Sequence, residues 1–153
     1  MPRRDWVWHF QDLSPARLWP VIADTNRFNE ALGLPAYTLD ELPQANGTVL
    51  RRGTGKVAGM ELAWEEKPYE WVTNRQFRQT RVFSKGPFAR FGPVFEIVAE
   101  GTGSRVSYAL QWEPLTWLGR LTGRRLTEKA GAAVKRRVEE AAAFLRGERP
   151  TVF

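Results

Sequence analysis

LTGRRLTEKAGAAVKRRVEEAAAFLR, residues 121–146, carries the longest helical period in the chain. From Arg124 onward it has no Pro, a single Gly (Gly131) and abundant helix formers, so the spacing predicts one long helix. Leu126, Ala130, Ala133, Val134, Val138, Ala141, Ala142 and Leu145 recur every three or four residues and make one apolar stripe. Arg124, Arg125, Lys129, Lys135, Arg136, Arg146 and Arg149 then fall mostly on the opposite face. The stripe is mainly alanine. Such a stripe either packs very close to a sheet or leaves space beneath it.

Working outward, the charge is as uneven as the period. From Pro114 to Phe153 nine Lys and Arg accompany four Glu, which accounts for most of the net charge of +6. A basic helix face can meet nucleic acid, an anionic membrane or an acidic neighbouring domain, or it can simply be solvated. Nucleic-acid modules interleave aromatics with their cations, and this helix offers only Phe144, so nucleic acid is set aside. The 153 residues suit one core of useful size. With no Cys there is no disulfide framework, thiolate metal site or Cys nucleophile. No apolar run reaches the roughly 20 residues of a membrane span, and the N-terminus lacks a signal-peptide core. The chain therefore reads as soluble and cytoplasmic, without stable membrane insertion. Seven Trp and nine Phe are a rich aromatic load, enough to fill a core and line a cavity.

Before the long helix the period is that of strands. Trp6, Trp8 and Phe10 alternate with Val7, His9 and Gln11 in a first half-buried strand. Ser14-Pro15 starts a short helix that Pro20 should kink or shorten. A second short helix is expected over Asn26–Leu32, stopped by Gly33. Ala36–Leu42 reads as a weak strand, and Asn46-Gly47 as a two-residue hairpin turn. Thr48–Val57, bent at Gly53 and Gly55, Met60–Glu65, Trp71–Phe83, Phe88–Glu100, bent at Gly92-Pro93, and Arg105–Glu113 follow as strands. Pro114–Gly123 reads as a loop or short helix. Residues 1–147 form one expected domain, and 148–153 the start of a linker or tail.

This order predicts an α+β helix-grip layout. A curved antiparallel sheet of about six to seven strands closes around the long C-terminal helix, and two short helices follow the first strand. The segment Leu13-Ser14-Pro15-Ala16-Arg17-Leu18-Trp19-Pro20-Val21-Ile22-Ala23-Asp24 resembles the first strand-to-helix junction of the START-like, or SRPBCC, superfamily. Trp64–Val72 and Gly101–Val106 resemble its mid-sheet hairpins. That superfamily includes polyketide cyclase-like, lipid-transfer and birch-pollen-allergen-like proteins. More narrowly, Leu18-Trp19-Pro20, Ala23–Asn29 and Trp64-Glu65-Glu66 resemble the domain that precedes a class III adenylate/guanylate cyclase in some bacterial proteins. The resemblance implies the helix-grip fold and leaves binder, transporter, cyclase and cochaperone open.

Catalytic patterns are sparse. His9 is the only His and has no identifiable partner, so neither a catalytic base nor a transition-metal site is expected. Alternation puts Glu65 and Glu66 on opposite faces, which argues against a carboxylate pair and for cross-strand pairing with arginines. Arg51–Val57 fails as a phosphate loop, because Leu50 and Val57 stand where Gly and Ser or Thr are required. Gly119 and Gly123 are flanked by arginines, unlike a membrane-dimer motif. In Trp71–Phe91, Arg81 shares a face with Phe77, Gln79 and Phe83. A guanidinium turned inward there needs an acidic ligand or a protein carboxylate.

The expected function is non-enzymatic binding of a hydrophobic or amphipathic small molecule beneath the Ala stripe. Trp64, Phe77, Phe83, Tyr108, Leu110, Trp112, Val134 and Val138 would line the site, with Arg81 as polar anchor and no metal or cofactor. Occupancy would shift the C-terminal helix and regulate a downstream domain, such as a nucleotide cyclase, in the same polypeptide. Two alternatives stay open. One is a protein-interaction or autoregulatory module with a filled core, acting through Lys135, Arg136 and Arg137. The other is a polyketide cyclase-like or hydrolase-like enzyme, disfavoured by the shortage of acid and base residues.

Overall fold

Trp6, Trp8 and Phe10 turn the same way along the first strand, and the rest of the sheet is built outward from that strand by antiparallel pairing. A computed structural model describes residues 2–24, 37–57 and 59–152. Its strands are β1 (Arg3–Phe10), β2 (Tyr37–Pro43), β3 (Val49–Val57), β4 (Met60–Glu66), β5 (Glu70–Val72), β6 (Gln76–Arg78), β7 (Arg81–Lys85), β8 (Phe88–Glu100) and β9 (Gly103–Pro114). The helices among these residues are α1 (Pro15–Ile22) and α2 (Trp117–Leu145). The short helix expected over Asn26–Leu32 lies outside the described residues.

The strands run in the order β1-β9-β8-β7-β4-β3-β2, with β5 paired to β6 and β6 to β8. β6 and β7 both pair with β8, at Val94–Glu96 and Arg90–Phe91, so they are two pieces of one row interrupted at Gln79-Thr80. Counted by rows, the sheet has the expected breadth. The stretch Trp71–Phe83 is not one strand, however. Trp71 pairs with Phe77, and the chain reverses through Asn74, whose φ of 61° is left-handed. Asn tolerates that conformation better than other residues with a Cβ, so it makes a turn that no Gly or Pro announces. The turn after β2 is also one residue longer than expected. Gln44 and Thr48 pair across it through Gln44 N–H and Thr48 C=O at 2.8 Å, and Gly47 takes the left-handed position at φ 80°.

The long helix starts earlier than its period suggests. Thr116 caps it by accepting from the Gly119 N–H at 3.1 Å, and the helix then runs 29 residues from Trp117. Its buried face is Gly119, Gly123, Thr127, Gly131, Val134, Val138, Ala141 and Ala142. Leu126, expected on that stripe, is exposed. The inward glycines explain the difference. A Cβ at Gly131 would run into the Trp6 ring, one at Gly123 into the Trp112 indole, and one at Gly119 into the Pro87 carbonyl. At these contacts the small residues let the helix approach the sheet closely.

The core lies between α2, α1 and the β1-β9-β8 side of the sheet. Leu18, Trp19 and Ile22 of α1 meet Phe95, Ile97, Val106, Tyr108 and Leu110 there, with Val134 and Val138 fully buried from above. Burying each such side chain contributes about 1.5–3 kcal/mol. At its far end α2 is tied down twice. Arg17 donates to the Leu145 carbonyl at 2.7 Å, and Arg146 makes a two-pronged contact with Asp12, each bond 2.7 Å.

Candidate functional site

The polar chemistry of the sheet is concentrated where β4 meets β7. Register sets Trp64 opposite Phe83 and Glu66 opposite Arg81, so alternation turns all four toward one face. On the next strand Gly53 lies opposite Trp64, and its missing Cβ is the space the indole occupies. Tyr37 closes the group from β2, edge-on to Trp64 with ring centroids 5.5 Å apart.

Glu66 is the hub. Its side chain is 1% exposed and accepts from Arg81 Nε at 3.1 Å, the Tyr69 hydroxyl at 2.7 Å and Trp64 Nε1 at 3.3 Å. Gln79 Nε2 donates in turn to the Tyr69 oxygen at 3.2 Å. A buried carboxylate needs such company, because an unpaired one would cost several kcal/mol. Burial, reinforced by the bond to Glu66, pushes the Tyr69 hydroxyl up to about 12. Glu65, on the opposite face, pairs with Lys67 at 2.6 Å instead.

Arg81 therefore has its protein carboxylate, one of the two partners its sequence position demanded. The contact uses Nε. The rest of the guanidinium lies 5.2 Å from the Trp64 ring and 5.4 Å from the Tyr37 ring, with the side chain 16% exposed. Among the described residues its terminal nitrogens make no hydrogen bond. This leaves a cation with donors to spare, framed by aromatic faces.

The nine residues expected to line a site fall into three places. Trp64, Arg81 and Phe83 come together in the cluster just described. Phe77, Tyr108, Leu110, Val134 and Val138 belong to the packed core beside it. Tyr108 packs against a tilted Phe95 ring and stacks on Trp6, with centroids 4.6 and 5.6 Å away, and burial pushes its hydroxyl well above the usual phenol range. Trp112 stands apart, against Gly123, at the edge of an open groove of about 650 Å³ between Pro2–Arg4, the end of β9 and the first turns of α2. The cross-strand pairing of Glu66 with an arginine was expected from alternation, whereas sequence reasoning missed that groove and the roles of Tyr69 and Tyr37. Alternation points to Glu66 facing inward, whereas the groove joins segments over a hundred residues apart and leaves no local signal. His9 is exposed beside Glu100 at 2.9 Å. No group of three metal-ligating side chains occurs among the described residues, and none of their helices is long and apolar enough to cross a membrane.

No protein-family model matches the sequence, and no curated protein matches it either. Solved structures do. The ZhuI aromatase/cyclase from Streptomyces sp. R1128 superposes with a TM-score of 0.63 at 11% identity, over 92% of this chain and 95% of that one. The fold is START-like. TTHA0849 from Thermus thermophilus matches with a TM-score of 0.58 at 19% identity, over 92% of this chain and 99% of its own. Ara h 8.0201 matches with a TM-score of 0.54 at 11% identity, over 90% and 97%. These likenesses run through nearly the whole of each chain and, at such identities, bear on the fold alone.

Proposed function

We propose that this START-like chain is a non-enzymatic binding domain for a hydrophobic or amphipathic small molecule with an acidic head group. The observation that carries the reading is Arg81. Its charge is stabilised by buried Glu66, its terminal nitrogens are uncommitted among the described residues, and the Trp64 and Tyr37 rings frame it, with Phe83 against Trp64. Such a setting suits a carboxylate or phosphate joined to an apolar body. Phe77, Tyr108, Leu110, Val134 and Val138, in the core beside the cluster, are the proposed apolar surroundings of the site.

Residues 1–147 act as one sensory domain of a cytoplasmic protein in this reading, with the tail leading to a signalling domain such as a nucleotide cyclase. The ties from Asp12 and Arg17 to the end of α2 support that route, since a shift of the helix must strain them. The ZhuI aromatase/cyclase suggests catalysis, but the cluster argues against proton transfer. Arg81 is ion-paired, and burial holds the Tyr69 and Tyr108 protons tightly. A second reading, an interaction module with a filled core, draws support from the complete burial of Val134 and Val138.

The test is titration with the amphipathic anion anilinonaphthalene sulfonate, followed through the Trp64 indole N–H resonance. Native mass spectrometry of freshly purified protein looks for a copurifying ligand. Binding should move Trp64 and weaken roughly tenfold in Arg81→Lys, which keeps a charge for Glu66 but loses the planar fork. An unmoved Trp64 signal and a ligand-free mass would overturn the binding reading in favour of the filled core.

A further inference from the structure

The end of the molecule where α2 begins takes no part in that reading. Leu115, Trp117, Leu118 and Leu121 stand out from it, with Leu115 65%, Trp117 74% and Leu121 58% exposed. The residues that α2 turns inward at this end are Gly119 and Gly123. Here the helix lies on the sheet with its smallest residues and presents its large apolar ones to solvent. A helix serving the core alone does the reverse.

Cations are interleaved with these side chains. Arg120 and Arg124 line the open groove together with Arg3 and Arg4 of β1. Arg3 is held by Asp5 at 2.6 Å, and Arg124 approaches Glu128 at 3.4 Å. Arg4, Arg120 and Arg125 meet no carboxylate among the described residues. The uncompensated charge calls for an anionic partner, and the exposed Trp and Leu call for an apolar one.

We propose that this end docks peripherally on an anionic phospholipid surface. Trp117, Leu118 and Leu121 enter the acyl boundary, and Arg4, Arg120 and Arg125 meet the phosphates. Spacing favours lipid over a protein partner. At 1.5 Å per residue, Arg124 and Arg125 lie about 10–12 Å along the helix behind Trp117, so with the start of the helix turned into the boundary they stand at headgroup level. Arginine stems reach back to headgroups, and Trp is favoured at that boundary. The groove beside Arg4 and Arg120 offers room for a headgroup.

Cosedimentation of the whole chain with phosphatidylcholine vesicles, with and without phosphatidylglycerol, tests the proposal. Binding is expected only with phosphatidylglycerol and should weaken with added salt. Trp117→Ser with Leu121→Ser should reduce partitioning roughly tenfold or more, and Arg4→Glu with Arg120→Glu should abolish it. All four positions are surface ones, and an unchanged thermal melt verifies that each variant is folded. No partitioning at low salt, or partitioning indifferent to Trp117 and Leu121, overturns the proposal. So does light scattering that shows a dimer dispersed by the same Ser variants, which assigns the face to a second copy. Capture of a synthetic Glu-rich amphipathic peptide without vesicle binding overturns it too, assigning the face to an acidic protein.

Discussion

In the second half of α2, Val134, Val138, Ala141 and Ala142 are buried against α1 and the sheet; in the first half, Leu118, Leu121 and Leu126 are exposed while Gly119, Gly123 and Thr127 face inward. The two halves belong to one continuous helix, although the glycines of the first half lower its propensity. What separates them is the surface underneath. Beneath the first half and at Gly131 stand the Trp112 and Trp6 rings of the sheet and the Pro87 carbonyl of the turn before β8, and only glycine fits over them. Beyond Gly131 aliphatic side chains fill the space. Where a helix meets rings through glycine, its own large side chains are free for another partner.

A charge placed in each half of α2 should separate them most strongly. Val138→Asp buries an unpaired carboxylate and should destabilise by about 4 kcal/mol or unfold the chain. Leu121→Asp, on the exposed flank, should stay within about 0.5 kcal/mol. Urea unfolding of the two variants measures both, and equal losses would mean that the first half is packed as well. Gly131→Ala sharpens the contrast. Alanine favours a helix over glycine by about 1 kcal/mol, yet its Cβ would meet the Trp6 ring, which is stacked on Tyr108. Overpacking should win, leaving a net loss of about 1–2 kcal/mol. A gain in stability would show that Trp6 yields.

Much of the grip was legible because alternation in strands and the three-to-four spacing of Val134, Val138, Ala141 and Leu145 are local signals. The inward turn of Arg81 and Glu66 followed from the same period of two, and the expected choice between ligand and protein partner narrowed to Glu66. The first half of α2 was not legible, because glycine lowers helix propensity wherever it occurs. Gly119 and Gly123 read as punctuation until the Pro87 carbonyl and the Trp112 ring are in place. The reversal at Asn74 was hidden for a similar reason, since Asn signals a left-handed turn only weakly. The groove beside Arg4 depends on strand order, which no local pattern encodes.

Smaller effects separate the ends of the same helix. Thr116→Ala removes the side-chain acceptor for the Gly119 N–H and should cost about 1 kcal/mol. Faster hydrogen exchange should then be confined to the first turn, leaving Val134–Ala142 protected. Spread of that exchange to Val138 would mean the halves unfold as one unit.

The opposite end should respond to acid instead. Hydrogen bonds from Arg146 hold the Asp12 carboxyl below its ordinary value of 3.8. Folded Asp12 thus keeps its charge at a pH where the unfolded chain has taken up a proton. Its contribution is present above the unfolded value and is lost as pH falls through the folded one. At Glu140 desolvation pushes the carboxyl up, but bonds from Arg137 and Arg149 outweigh it, so the same sign applies. Melting temperatures measured from neutral to strongly acidic pH should therefore fall for the parent chain. They should fall less steeply for Asp12→Asn, and still less when Glu140→Gln is added. Because both carboxylates are near solvent, salt should flatten the difference. An acid slope untouched by both changes would mean that the far end of α2 is held by its apolar packing, with the ion pairs contributing nothing measurable. In that case the two halves would differ in what they bury and in nothing else.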